Sequence, residues 1–269
     1  MAALIHHTEY AGTEPAVVLV HGMACDGSDW DAQVAYLCGH GHQVITVDLR
    51  GHGQSMHFER DFAMSSMAAD IVAVLEHLQV GKAIVAGHSM GCRVATETAL
   101  QLPQVVRGVA LIDGSRFANS NADAAVASRR TIIERLGFAE HMQANFNSMF
   151  LAHADKTTKA RIVERARQRP AAIGTQVMLS MVRWDAAQFE SRYAELKVPV
   201  QVIQSTHMDA SKQRVPVTDE MPIEWHQELL ACDVAAKFER VPDCGHFTMM
   251  DAPDVVNHGL DELLTRASP

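Results

Sequence analysis

Three residue types in this chain could combine for covalent chemistry. They are the serine of Gly87-His88-Ser89-Met90-Gly91, the histidine of Gly245-His246-Phe247, and an aspartate at position 113 or 209. A serine hydroxyl is a weak nucleophile near neutral pH. It needs a base to take its proton and an acid to orient that base. The G-x-S-x-G pattern gains meaning when a strand precedes it and a helix follows, because the sharp turn between them pushes the hydroxyl out of the sheet. Residues 82–86 read as a short buried strand, and Val94, Ala95, Thr98, Ala99 and Leu102 recur at helical spacing. Gly87 and Gly91 stand where any side chain would collide with the neighbouring strand and helix. His246 is the expected base: an apolar strand at 236–241 leads into its loop and a helix at 252–264 follows it.

Two loops could deliver the acid. Asp113 ends the apolar run Val109-Ala110-Leu111-Ile112, directly after the nucleophile helix. Asp209 follows the strand at 200–204, but Gln204-Ser205-Thr206 stands where a glycine-plus-acid turn would be expected. Asp113 is the favoured acid and Asp209 the reserve; a turn-capping role for Asp113 is the third reading. Acyl transfer also needs donors for the developing oxyanion. The run 17–20 enters His21-Gly22, so the N–H groups of Met23 and Met90 are the expected pair, with their thioether side chains walling the pocket.

The elements that must hold these groups alternate along the chain. Strands are expected at 3–7, 16–20, 43–47, 83–86, 108–112, 200–204 and 237–241. Helices are expected at 29–37, 64–77, 90–102, 224–230 and 252–264. Such alternation predicts an α/β fold with a mostly parallel sheet covered on both faces. Residues 116–193 break the rhythm with helical patterns only, at 122–136, 139–151, 157–167 and 171–182. They read as an inserted helical cap on a core built from 1–115 and 194–269. A cap excludes water and shapes the pocket. Phe117, Met142, Phe146, Met149, Met178, Met181, Val182 and Trp184 are the candidates to line it, and their collective character implies a hydrophobic small-molecule substrate of moderate size.

On these residues the chain resembles the α/β-hydrolase fold superfamily over nearly its whole length. The motifs that carry the likeness are His21-Gly22, Asp48-Leu49-Arg50-Gly51-His52-Gly53-Gln54-Ser55, the turn at Ser89, and Gly245-His246-Phe247. The resemblance implies that the segment from Asp48 to Ser55 rims the active-site face, with Arg50 and His52 stabilising its loop. An acid moved to the earlier strand also resembles, weakly, the cofactor-independent 3-hydroxy-4(1H)-quinolone 2,4-dioxygenases, as do Cys25-Asp26 and Ser89-Met90-Gly91-Cys92. That likeness implies His246 as base, Asp113 as its partner and Ser89 as a substrate-orienting hydroxyl, with neither metal nor flavin.

Composition narrows the partners. The 269 residues include 32 acidic and 23 basic side chains, a net charge of −9, and no basic stripe for nucleic acid or an anionic membrane. Five scattered cysteines with no C-x-x-C speak for a reducing, cytoplasmic setting. Residues 1–10 lack the basic and apolar segments of a signal peptide. No cofactor is expected. His6-His7 and His40-x-His42 lack a third ligand, so no metal site is expected; the basic helix near Lys156 reads as a solvated face. The oligomeric state is open. Three functions follow: a serine hydrolase for an ester, lactone or related acyl bond, a cofactor-free dioxygenase, and a non-catalytic binding protein. The hydrolase is the leading reading.

Overall fold

Apolar runs with no polar alternation, such as 16–20 and 109–112, must be buried on both sides, which requires a parallel sheet flanked by helices. The computed structural model, which describes residues 3–57, 61–119, 121–209 and 213–267, meets that requirement. Its strands are β1 (His7–Tyr10), β2 (Thr13–Val20), β3 (His42–Val47), β4 (Ala83–His88), β5 (Val106–Ile112), β6 (Val200–Gln204), β7 (Thr206–Met208), β8 (Arg214–Pro216) and β9 (Ala236–Arg240). Seven of them form one sheet in the order β1-β3-β2-β4-β5-β6-β9. Every pairing in it is parallel except β1 on β3.

Helices α1 (Asp31–Gly39) and α11 (Pro253–Arg266) pack together against the sheet. Helices α2 (Met64–His77) and α3 (Gly91–Gln101) form a second pair against it. The α9 helix (Glu224–Ala231) precedes β9, and the short α10 (Thr248–Asp251) follows the His246 loop. Between β5 and β6 lie α4 (Ala122–Leu136), α5 (Phe138–Asn147), α6 (Lys156–Arg167), α7 (Ala171–Ala187) and α8 (Phe189–Glu195). No helix among the described residues is long and apolar enough to cross a membrane.

Polar anchors hold these inserted helices to the sheet layer. Buried Arg93 of α3 donates to both oxygens of buried Asp185 of α7 at 2.7 Å. Trp184 Nε1–H donates to Glu97 Oε1 at 2.7 Å. On α6, Arg165 pairs with Asp26 at 2.6 Å and with Asp29, and Arg169, just beyond the helix, donates to the Gly51 carbonyl. The basic helix is therefore not simply a solvated face; Arg165 docks it onto the loop after β2, and Arg169 ties its end to the loop after β3.

Several elements differ from expectation, the short α10 among them. The first strand starts at His7 and not at Ala3, because its edge-strand residues are mostly exposed and carry no apolar signal, whereas Ile5 is buried in irregular chain. The β7–β8 hairpin has only three residues per strand, one of them Pro216, and gives no periodic pattern. The α8 helix, a single short segment after α7, also escapes the reading of 116–193.

Candidate active site

Parallel strands place their C-terminal ends at one edge of the sheet, and that edge is where this fold class binds ligands. Ser89 follows β4 there with φ +54°, the left-handed region that a non-glycine residue occupies only when its surroundings enforce it. Close packing does so. A Cβ on Gly87 would lie 2.1 Å from the Gly91 carbonyl oxygen, and one on Gly91 would lie 2.4 Å from that of Val20. The strand and helix thus meet at contact distance, and the serine side chain is turned outward.

Asp113 follows β5, is fully buried, and also has positive φ, +44°. Its Oδ2 accepts the Nδ1–H of His246 at 2.5 Å. Oδ1 accepts the N–H groups of Ser205 (2.9 Å) and Thr206 (2.6 Å), while the Thr206 hydroxyl donates to Oδ2 at 2.5 Å. Arg214 of β8 reaches the same Oδ2 at 3.3 Å and Thr206 Oγ1 at 2.7 Å. The Gln204-Ser205-Thr206 turn therefore supplies donors to a carboxylate that stands on the neighbouring strand. Burial pushes the Asp113 pKa up, but the His246 hydrogen bond and charge, Arg214 and Thr206 outweigh it and hold the group below its ordinary value. Asp209 lies on the β7–β8 hairpin, where its carboxylate accepts the Gln213 N–H; the His246 imidazole is bonded to Asp113 and not to Asp209.

His246 is fixed on every side. Its N–H donates to the Met149 carbonyl, and its carbonyl is bonded by His88 Nε2, each at 2.8 Å. The His88 and His246 rings pack 4.6 Å apart, and Phe247 stacks on Phe150 at 4.9 Å. Burial lowers the His246 pKa, the Arg214 charge lowers it further, and Asp113 offsets only part, leaving about 4. The imidazole is consequently neutral at pH 7, with its proton on Nδ1 and a free acceptor at Nε2.

The loop after β2 completes the site. His21 accepts the Leu49 N–H at Nε2 and donates Nδ1–H to the Gly22 carbonyl, which ties this loop to the one after β3. A Cβ on Gly22 would sit 2.9 Å from His88 Nδ1 and 3.2 Å from Ser89 Cβ, so the chain passes close to the serine here. Among the described residues, the N–H groups of Met23 and Met90 donate to no protein acceptor. Arg50 holds Asp70 through two 2.6 Å bonds, and His52 is buried against the Arg50 carbonyl, both loop-stabilising contacts.

A cavity of about 510 Å³ brings Ser89 and His246 together under the inserted helices. Of the eight residues expected to line it, Phe117, Phe146, Met149, Met178 and Met181 do. Three do not. Met142 is fully buried among helices, Val182 is buried, and Trp184 spends its N–H on Glu97 while meeting Tyr193 edge-on. Met23 walls the cavity, but the Met90 side chain is packed in the core. Sequence reasoning missed Met208 and Arg214 on the hairpin, and Arg129, Ile132, Leu136, His141 and Asn145 on α4 and α5. The departure at Gln204-Ser205-Thr206 was the available signal for the hairpin's role. No group of three or more His, Cys, Asp or Glu among the described residues is placed to hold a metal ion.

The model of the alpha/beta hydrolase family matches residues 17–258. The chain belongs to that family. Among curated relatives, the (E)-2-((N-methylformamido)methylene)succinate hydrolase of Acinetobacter baylyi is 30% identical over 130 residues, 48% of this chain and 49% of that protein. A non-heme chloroperoxidase of Burkholderia pyrrocinia is 41% identical over 75 residues, 28% of this chain and 27% of the other. The matched stretch thus spans about half or less of these relatives. Among solved family structures, a thermophilic esterase from Thermogutta terrifontis aligns over 98% of this chain and 94% of its own, with TM-score 0.76 and 27% identity. The enol-lactonase of Burkholderia xenovorans shares the fold with TM-score 0.76 at 21% identity, over 97% of this chain and 96% of the other.

Proposed function

We propose that this chain is a serine hydrolase that cleaves an ester, lactone or related acyl bond of a moderately sized, largely apolar substrate. The observation that carries the reading is the 2.5 Å bond from His246 to buried Asp113 in a site whose cavity is also walled by Ser89. Ser89 Oγ attacks the acyl carbon and His246 Nε2 takes its proton. Asp113 holds the imidazole by Nδ1–H and stabilises the imidazolium. The N–H groups of Met23 and Met90 receive the oxyanion. The imidazolium then protonates the leaving group, and a water activated by His246 releases the acid from Ser89. The inserted helices act as a cap over residues 1–115 and 194–269, and five methionine side chains make its cavity apolar. Names among the relatives, a hydrolase and an esterase, agree with the reading. All five cysteines are free thiols, which fits a reducing cytosol.

A second reading has one observation behind it: the acid stands after β5, as in the cofactor-free quinolone dioxygenases that the sequence weakly resembles. The test separates the two. Hydrolysis of 4-nitrophenyl butanoate should vanish in Ser89→Ala, and a fluorophosphonate should add covalently to Ser89 in the wild type, seen as a mass shift. Oxygen uptake and carbon monoxide release from a 2-alkyl-3-hydroxy-4(1H)-quinolone, only partly reduced in Ser89→Ala, would overturn the hydrolase reading. An undiminished rate in His246→Ala would sink both.

A further inference from the structure

Among the described residues, three arginines wall the cavity and no carboxylate does, in a chain whose net charge is −9. Two of the three are neutralised by protein. Arg116 pairs with Glu190 at 2.6 Å and Glu228 at 3.1 Å, and Arg214 serves Asp113. Arg129 of α4 differs. Among the described residues it makes no hydrogen bond and no ion pair, and its half-buried guanidinium lies over the Phe117 ring, 5.6 Å from the centroid. The carboxylate whose field reaches it, Asp185, is already held by both Arg93 donors and the Phe117 N–H.

Beside it, His141 of α5 has a buried Nε2 with no partner, and burial, helped by the Arg129 charge, lowers its pKa. Asn145, one turn further along α5, walls the same cavity. A half-buried cation without a counter-ion is costly unless a ligand supplies one. These groups offer a fork of guanidinium donors, an imidazole and an amide to a cavity that thioethers and Ser89 also line.

We propose that the substrate carries a carboxylate, bound by Arg129 with His141 and Asn145, while its acyl group reaches Ser89. The inference rests on the hydrolase reading for its reaction but not for its binding site. The test uses 4-nitrophenyl half-esters of adipic and suberic acid, each against its neutral methyl 4-nitrophenyl diester. A charge-assisted contact in such a site favours the acid form by roughly 10- to 100-fold in kcat/KM. That ratio should fall to near one in Arg129→Gln and survive in part in Arg129→Lys. Equal rates on acid and diester at both lengths, or a preference untouched by Arg129→Gln, would overturn the proposal. If neither ester turns over, the hydrolase reading fails by itself. Calorimetric titration with adipate and suberate then decides the anion site, since binding lost in Arg129→Gln supports it and no binding to the wild type refutes it.

Discussion

Replacing Asp113 by Asn changes one atom and should disable the site by a route that the hydrogen bonds dictate. Oδ1 accepts two backbone N–H groups, from Ser205 and Thr206, so the oxygen of an asparagine must stay there. Its NH2 then occupies the Oδ2 position, facing His246 Nδ1, Thr206 Oγ1 and Arg214 Nη1. An NH2 donor beside His246 forces Nδ1 to become the acceptor, which moves the imidazole proton to Nε2. The ring then presents a proton where it should take one from Ser89. Loss of the correct tautomer costs a serine triad about ten-thousand-fold in kcat, or ~5.5 kcal/mol of barrier. The new amide also leaves the buried Arg214 charge without its carboxylate, so the variant should melt earlier. Both effects are read from ester hydrolysis and a thermal melt on the same preparation. An Asp113→Asn variant with the wild-type rate would refute the reasoning outright. The same change at Asp209, whose carboxylate serves the hairpin, should leave kcat/KM near wild type.

Activity should also report the imidazole's surroundings. With neutral His246 as the proposed base and its pKa at about 4, kcat/KM should rise with pH through about 4 and stay level to neutrality. Arg214→Gln removes a charge that lowers that pKa, so its acidic limb should move to higher pH; a limb that does not move would deny Arg214 the role. Stability follows with its own sign. Between about 4 and the ordinary value of 6.5 the unfolded histidine binds a proton that the native one does not, so this contribution is complete above 6.5 and shrinks as pH falls toward 4. Urea unfolding across that range checks it. Arg93→Ala, which strands the buried Asp185 carboxylate under α7, should cost about 3–5 kcal/mol in the same assay.

The serine turn and the histidine loop were legible because steric demand wrote itself into glycine spacing and into a strand that stops short of each. Asp113 was legible for a related reason, since an apolar run that ends in an aspartate places the carboxylate at the strand's C-terminal edge. The hairpin was hidden: three residues per strand leave no period, and the carboxylate that Arg214 meets lies far away in sequence. Which apolar residues face the cavity was equally hidden. Helix α7 is buried on several sides, so Met181 and Val182 look alike in sequence while only the former lines the site. Arg129 sits on an amphipathic helix among exposed neighbours, where a cation turned to the cavity is indistinguishable from one turned to water.

The five methionines that wall the cavity, Met23, Met149, Met178, Met181 and Met208, tie the protein's performance to its redox surroundings. An oxidant that diffuses toward Ser89 meets thioethers on several sides. Conversion of any of them to the sulfoxide replaces a flexible apolar wall with a polar, chiral one. None of the groups that move protons is altered by that change. The first property to fail under peroxide is therefore the grip on the apolar part of a ligand, seen as a rising KM, while kcat persists. Because methionine sulfoxide is enzymatically reducible, that loss is one a cell can reverse without making the chain anew.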